Sequence, residues 1–181
     1  MKKRRLPTND IYWASVDPAN KSGIAFWIGD KLESTGVLRM MGKSGQYRMI
    51  RKICLDRGLV KTTYPNKCNA WDCMCSNKGG IVIEEGAGRF TTAVKSQAKL
   101  RGYIEHSCDS FSVQYQEVNV SEWRRVVREA YGVSFPANSK GCKELSKKLV
   151  KQEFGIDVSD DEADAVLLGK AALRLRVLDW M

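Results

Sequence analysis

Three short apolar or alternating runs near the start of the chain predict strands. They cover residues 11–17, 24–28 and 34–38, and aromatic and branched side chains are frequent in them. Turn-forming residues separate the runs at 18–23 and again at 29–30. Three strands joined by short turns predict an antiparallel meander.

Helical and strand patterns alternate through the rest of the chain. Strands of this kind pair in parallel through right-handed crossovers. The sequence therefore predicts an α/β fold: a mixed five-stranded sheet, in which parallel strands extend the meander, with helices on both faces. Helical spacing is found at 45–57, 91–108, 121–131 (with Ser121 as N-cap) and 139–154, and from about 159 to 178, and strand patterns at 81–84 and 111–118.

The length and composition are typical of one folded domain. The chain has 181 residues, 43% hydrophobic and 28% charged. We interpret residues 1–10 as a flexible basic arm, 11–181 as a single domain, and 58–79 as a possible loop insertion. No apolar run approaches the roughly 20 residues of a membrane span. The basic start lacks the apolar stretch of a secretory signal, so we expect a cytoplasmic protein.

The net charge of +9 favours a polyanionic partner, and nucleic acid is the commonest one inside cells. The alternative is that surplus lysine only aids solubility. Charge by itself indicates neither sequence preference nor chemistry.

Six cysteines are present, and without a secretion signal they argue against a disulfide framework. Cys68, Cys73 and Cys75 lie close together, but their spacing lacks the paired C-x2-C of structural zinc sites. The single histidine, His106, is distant in sequence. Reduced cysteines are favoured, with a zinc site as the alternative.

Acidic residues stand where chemistry is expected in such a sheet. Asp17 ends the first predicted strand, Glu84 ends the fourth, and Asp161 and Asp164 lie at the start of the last helix. Ligand and catalytic sites of α/β sheets gather at the strand ends.

Each acid also has a simpler explanation. Asp17 precedes a proline and is suited to opening a turn, and Glu84 is suited to a solvated strand end. Ser159 and Glu162 have the spacing of a capping box, and the helix dipole favours acids in a first turn.

Asp164 calls for more than a helix-start explanation. A carboxylate at the edge of a core-facing stripe is costly unless something pairs with it. A divalent cation held together with Asp17 and Glu84 would compensate, and oxygen ligands of this kind select magnesium or manganese. Two such ions can activate water and stabilise the leaving oxygen of a phosphodiester. The otherwise apolar stripe contains Leu167, Leu168, Ala171, Leu175 and Leu178.

Three blocks together resemble the RuvC family of Holliday-junction resolvases. Residues 16–23 (VDPANKSG) resemble the opening strand and turn of the family. Residues 81–85 (IVIEE) resemble the strand with the catalytic glutamate, and 161–165 (DEADA) the closing helix with two acids spaced by three. The order and spacing fit from 11 to 178, and the fold implied is RNase H-like.

The resemblance implies that Asp17, Glu84, Asp161 and Asp164 are catalytic carboxylates that bind two Mg²⁺ or Mn²⁺ ions. Glu85 stands where the family more often has glutamine, so it is the second choice on that strand.

The resemblance also implies DNA-contacting residues, with Lys143 as a catalytic lysine near the scissile phosphate. The alternatives are that the lysines of the 139–154 helix form a solvated face, and that Phe90 packs against the following helix rather than stacking on a base. The residues implied are Arg89, Phe90, Arg124, Lys140 and Lys143.

The activity implied is structure-selective cutting of four-way DNA junctions, in recombination or phage DNA processing, by a homodimer in a bacterial cell. Two departures from the family are visible. Ala19 replaces a usual glycine, which most turn geometries tolerate, and the longer polar region 58–79 suits a bacteriophage version.

Other functions fit parts of the same pattern. The RNase H-like fold also hosts broader branched-DNA nucleases and RNA-strand hydrolases. An actin-like or sugar-kinase-like phosphate binder would need a larger chain and a second glycine-rich loop, for which residues 86–88 are the only candidate. A non-catalytic DNA-binding protein would gain by losing the acids, because they repel phosphate.

Overall fold

The computed structural model describes residues 11–19, 21–39, 79–85, 92–111 and 113–178. These residues contain five strands and four helices in the order β1–β4, α1, β5, α2–α4. The strands are Tyr12–Asp17 (β1), Lys21–Ile28 (β2), Lys31–Arg39 (β3), Gly80–Glu85 (β4) and Gln114–Asn119 (β5). The helices are Thr92–Phe111 (α1), Val120–Tyr131 (α2), Ser139–Phe154 (α3) and Asp160–Leu175 (α4).

The strands form one mixed sheet in the order β3-β2-β1-β4-β5. β1, β2 and β3 pair antiparallel, whereas β4 pairs in parallel with both β1 and β5. This arrangement confirms the predicted meander with added parallel strands. In the register, Val16 lies opposite Ile83, so the next residues, Asp17 and Glu84, leave the central strands side by side.

The two faces of the sheet bury separate cores, as the alternation of side chains along β1 requires. Trp13 and Ser15 face one side, and Ala14 and Val16 face the other. The first core contains residues of α2, α3 and α4, and the second contains residues of α1. The predicted helices on both faces are therefore confirmed.

Helix α4 is the central helix of its layer, since it packs on β1 and β2 and against both α2 and α3. The Ser15 hydroxyl donates a 2.7 Å hydrogen bond to the Ala165 carbonyl and accepts one from the Trp27 indole. Gly169 makes room for this contact, because a Cβ there would come within 2.5 Å of Trp27 Nε1. The buried face of α4 contains residues beyond the predicted apolar stripe, among them Ala163, Ala165 and Val166.

Several predicted boundaries were wrong. The strand predicted at 111–118 begins at Gln114, because Phe111 still belongs to α1. Asn119, not Ser121, caps α2: its side-chain oxygen accepts from the backbone N–H of Ser121. The last helix ends at Leu175 rather than 178, because Arg176 adopts a left-handed conformation with φ 54°.

The second and third strands are longer than predicted: β2 begins at Lys21 rather than at 24, and β3 begins at Lys31 rather than at 34. The capping box of Ser159 and Glu162 is confirmed.

Several sequence predictions lie outside the described residues. These are the basic arm 1–10, the helix at 45–57, the region 58–79 with its three clustered cysteines, and the loop 86–90. Cys108 and Cys142, which are described, are buried. Among the helices that are described, none has the length and apolar character needed to cross a bilayer.

Candidate active site

Two strand ends and the start of α4 bring the four predicted acids to one end of the sheet. The pKa of Asp17 is raised to about 8, first by burial and then by the negative charges of Glu84, Asp164 and Asp161. Such mutual effects require the carboxylates to lie near one another in a poorly hydrated place. The charge of Lys143 opposes the rise, so this predicted residue lies nearby as well.

A glycine on β2 allows the first turn of α4 to pack directly against the sheet. Gly23 pairs with Asp17 across the ladder and lies under the first turn of α4. A Cβ on Gly23 would stand 1.7 Å from the backbone oxygen of Asp161. The close contact sets the height of Asp161 and Asp164 above the end of β1.

Glu84 is buried, with 9% of its surface exposed. The Trp123 indole N–H, from α2, donates a 2.8 Å hydrogen bond to Glu84 Oε2. Burial raises the pKa of Glu84 to about 7; the Trp123 hydrogen bond and the Arg124 charge oppose this rise, whereas Asp164 adds to it.

Asp164 has a similar environment. Burial raises its pKa, and a hydrogen bond from Ser146 is the largest opposing effect. The Ser146 hydroxyl, on α3, lies 2.6 Å from Asp164 Oδ1. Sequence reasoning missed both Trp123 and Ser146. A signal existed for Ser146, since it shares the buried face of α3 with Cys142 and Leu149 and is the polar residue of that face.

The outer acids of α4 pair with lysines of α3. Lys143 Nζ lies 3.8 Å from both Asp160 Oδ2 and Asp161 Oδ1, and Lys147 Nζ lies 2.8 Å from Asp160 Oδ1. Lys140 differs, because its side chain is 89% exposed and the acid near its Nζ is Glu144 of the same helix, at 3.9 Å, rather than an acid of α4. Lys143 thus stands at the rim of the acid cluster, while Lys140 projects into solvent.

Arg124 lies beside the acids rather than on the outer surface. Its guanidinium is 5.2 Å from the centre of the Trp123 ring and 5.4 Å from that of Phe135. Its Nε is buried and has no hydrogen-bond partner among the described residues. Its positive charge opposes the rise that burial causes in the pKa of both Glu84 and Asp164.

Glu85 lies apart from the other acids, since successive residues of a strand point to opposite faces. It accepts a 3.5 Å hydrogen bond from Asn119 Nδ2. Burial raises the pKa of Glu117 on β5, and the charge of Glu85 adds a smaller rise. Glu84 is therefore the acid of β4 that faces Asp17 and Asp164. Arg89 and Phe90 lie outside the described residues.

The donor set suits a hard divalent cation in chemistry and charge. It consists of carboxylate oxygens, which Mg²⁺ and Mn²⁺ prefer, and the buried negative charges repel one another. Within the described ranges, no three His, Cys, Asp or Glu side chains are already arranged as a metal-binding group. The acids lie at the same end of the sheet, but their carboxylate oxygens do not point to one common position.

No family model and no curated protein sequence matches the chain. The fold is similar to that of RuvC from Thermus thermophilus in complex with Holliday junction substrate, with a TM-score of 0.61 at 12% identity, covering 92% of this chain and 95% of that one. A second Thermus thermophilus RuvC structure has a TM-score of 0.57 at 12% identity, covering 92% and 96%. The protein therefore has an RNase H-like fold of the RuvC type.

Proposed function

We propose that the chain is a structure-selective DNA endonuclease that cuts four-way junctions by metal-dependent phosphodiester hydrolysis. One observation carries the proposal: buried Glu84 and partly buried Asp17 and Asp164 lie together at the strand ends of a RuvC-type fold. Buried like charges are unfavourable without a compensating partner, and divalent cations would provide one.

The four acids would hold two Mg²⁺ or Mn²⁺ ions. When bound, such ions supply an activated water and stabilise the leaving oxygen. Glu84 would contribute a buried oxygen, Asp17 and Asp164 partly buried ones, and Asp161 one from the rim. Lys143 and Arg124 would face the phosphate, because both are cations beside the cluster.

Branched DNA is the substrate that we propose. The net charge of +9 favours a polyanion, and one structural neighbour is a RuvC in complex with Holliday junction substrate. A homodimer would set two such sites across a two-fold symmetric junction, as junction resolution in recombination or phage DNA processing requires.

The test compares a labelled four-way junction, a matched linear duplex and an RNA–DNA hybrid, each with Mg²⁺ and with a chelator. We expect paired nicks near the junction, in Mg²⁺ only. In the matched Asp164→Asn variant, cutting falls by about 100-fold or more, because a metal contact contributes several kcal/mol to the transition state. Junction binding persists.

Other outcomes would contradict the proposal in different ways. Cutting confined to the hybrid would make the protein an RNA-strand hydrolase. A junction that is bound but stays whole under every condition would make it a non-catalytic DNA-binding protein.

A further inference from the structure

Two uncharged side chains donate hydrogen bonds to Glu84 on β4 and to Asp164 in the second turn of α4. We propose that Trp123 and Ser146 are positioning residues, which orient Glu84 and Asp164 so that each carboxylate presents its second oxygen to a divalent cation. The inference rests on the proposed function, and it assigns a role to α2 and α3 in the metal site.

The hydrogen bonds leave one oxygen of each acid available. Trp123 donates to Glu84 Oε2 at 2.8 Å, and Ser146 donates to Asp164 Oδ1 at 2.6 Å. Both donors are fully buried, with 0% exposure, so water does not replace them. Oε1 of Glu84 and Oδ2 of Asp164 take no part in these bonds and are the oxygens that can turn toward a cation.

The donors are neutral, and this separates them from the lysines on the outer acids. Asp160 and Asp161 face ammonium groups of α3, which offset their charge. An indole N–H or a hydroxyl fixes the direction of a carboxylate without adding a positive charge of its own to the site. Hydrogen bonds to ligating carboxylates serve this purpose in metal sites generally.

The Trp123 donor is held in place by its own neighbours. The Phe135 ring meets it edge-on, with centroids 5.8 Å apart and planes at 90°, and the Arg124 guanidinium covers its face. A buried indole clamped in this way has no room to rotate, so the bond direction to Glu84 is fixed before any cation arrives.

The experiment measures Mn²⁺ affinity of the resting protein by titration calorimetry, and the Mg²⁺ concentration for half-maximal cutting. The variants are Trp123→Phe, which keeps a ring but removes the N–H, and Ser146→Ala, which removes one oxygen. For each we expect about 10–100-fold weaker Mn²⁺ binding and a matching rise in the Mg²⁺ requirement. Junction affinity measured in chelator stays unchanged.

The matched control is Trp13→Phe. Trp13 is also buried, and its indole N–H donates a 2.8 Å bond to the Gly29 carbonyl, at the other end of β1 from the acids. This variant should lose comparable unfolding free energy in urea while keeping wild-type Mn²⁺ affinity. Ser146→Ala is the smaller change and carries the test by itself if Trp123→Phe does not fold.

Mn²⁺ affinities equal to that of the control in both variants would overturn the proposal and leave the two bonds as packing contacts. A wild-type protein that binds Mn²⁺ but cuts no nucleic acid would refute the proposed function, and the variants' Mn²⁺ constants would still decide the positioning role. A wild-type protein that binds no Mn²⁺ would overturn both.

Discussion

At the scale of single residues, the protonation of the acids would link the proposed metal binding to pH. Without a cation, a pKa of about 8 keeps Asp17 largely protonated at neutrality, and a pKa of about 7 leaves Glu84 about half protonated. A cation binds the ionised forms, so its binding releases protons and strengthens as pH rises.

The same pKa values predict how stability varies with pH in metal-free buffer. The folded pKa of Asp17 lies above its value of 3.8 in an unfolded chain, so the folded state holds the proton more tightly. Its contribution to stability is complete below pH 3.8 and is lost as pH rises through about 8. We expect the free energy of unfolding in urea with chelator to fall between pH 5 and 8.5, and Asp17→Asn to flatten this fall.

The control for this prediction is Asp157→Asn, which changes an acid exposed at the surface. It should keep the wild-type pH profile. If the free energy of unfolding of the wild type and of Asp17→Asn changed equally with pH, Asp17 would be ionised in the folded protein without metal.

At the scale of elements, the contact between β2 and α4 determines where the acids stand. Gly23→Ala would place a methyl group inside the Asp161 backbone, and backbone cannot move aside as a side chain can. We expect a loss of about 3 kcal/mol in urea unfolding, at the upper end of overpacking effects, together with weaker Mn²⁺ binding.

Gly36→Ala, on the neighbouring strand β3, is the control. The closest atom to its new Cβ, on Ile24, would be 3.7 Å away, which is ordinary contact. This variant should keep wild-type stability or gain slightly. Equal stability of the two alanine variants would mean that α4 does not rest on Gly23.

Periodicity predicted the strands and the helices of the described chain, and the strand ends suggested acids that the fold brings to one end of the sheet. It could not predict the donors to those acids. Trp123 and Glu84 are 39 positions apart, and their contact depends on how α2 lies across the sheet rather than on spacing. The α2 cap was misassigned because Asn119 and Ser121 are both good caps, and only the end of β5 decides between them.

At the scale of the whole molecule, lysines of α3 border one side of the acid cluster. Lys140 projects into solvent at the start of α3, the end that carries Lys143, whereas Lys151 lies near its other end and pairs with Asp157. DNA phosphates would therefore meet Lys140 before they meet the acids, and counterions would be released there.

Salt dependence of junction binding tests this arrangement. Measured by fluorescence anisotropy in chelator, Lys140→Gln should reduce the slope of log affinity against log salt concentration by about 0.9. Lys151→Gln should leave the slope unchanged. A wild-type slope in Lys140→Gln would place the DNA on another surface.

The hydrogen bond from Ser15 to Ala165 joins positions 150 residues apart, and it lies next to both Asp17 and Asp164. At about 5–20 residues per second, a ribosome needs roughly 7–30 s to pass from the first partner to the second. During that interval Asp17 has been synthesised and α4 has not. A nascent chain therefore carries no assembled acid cluster until α4 has been synthesised, and the proposed nuclease activity would begin only after that point.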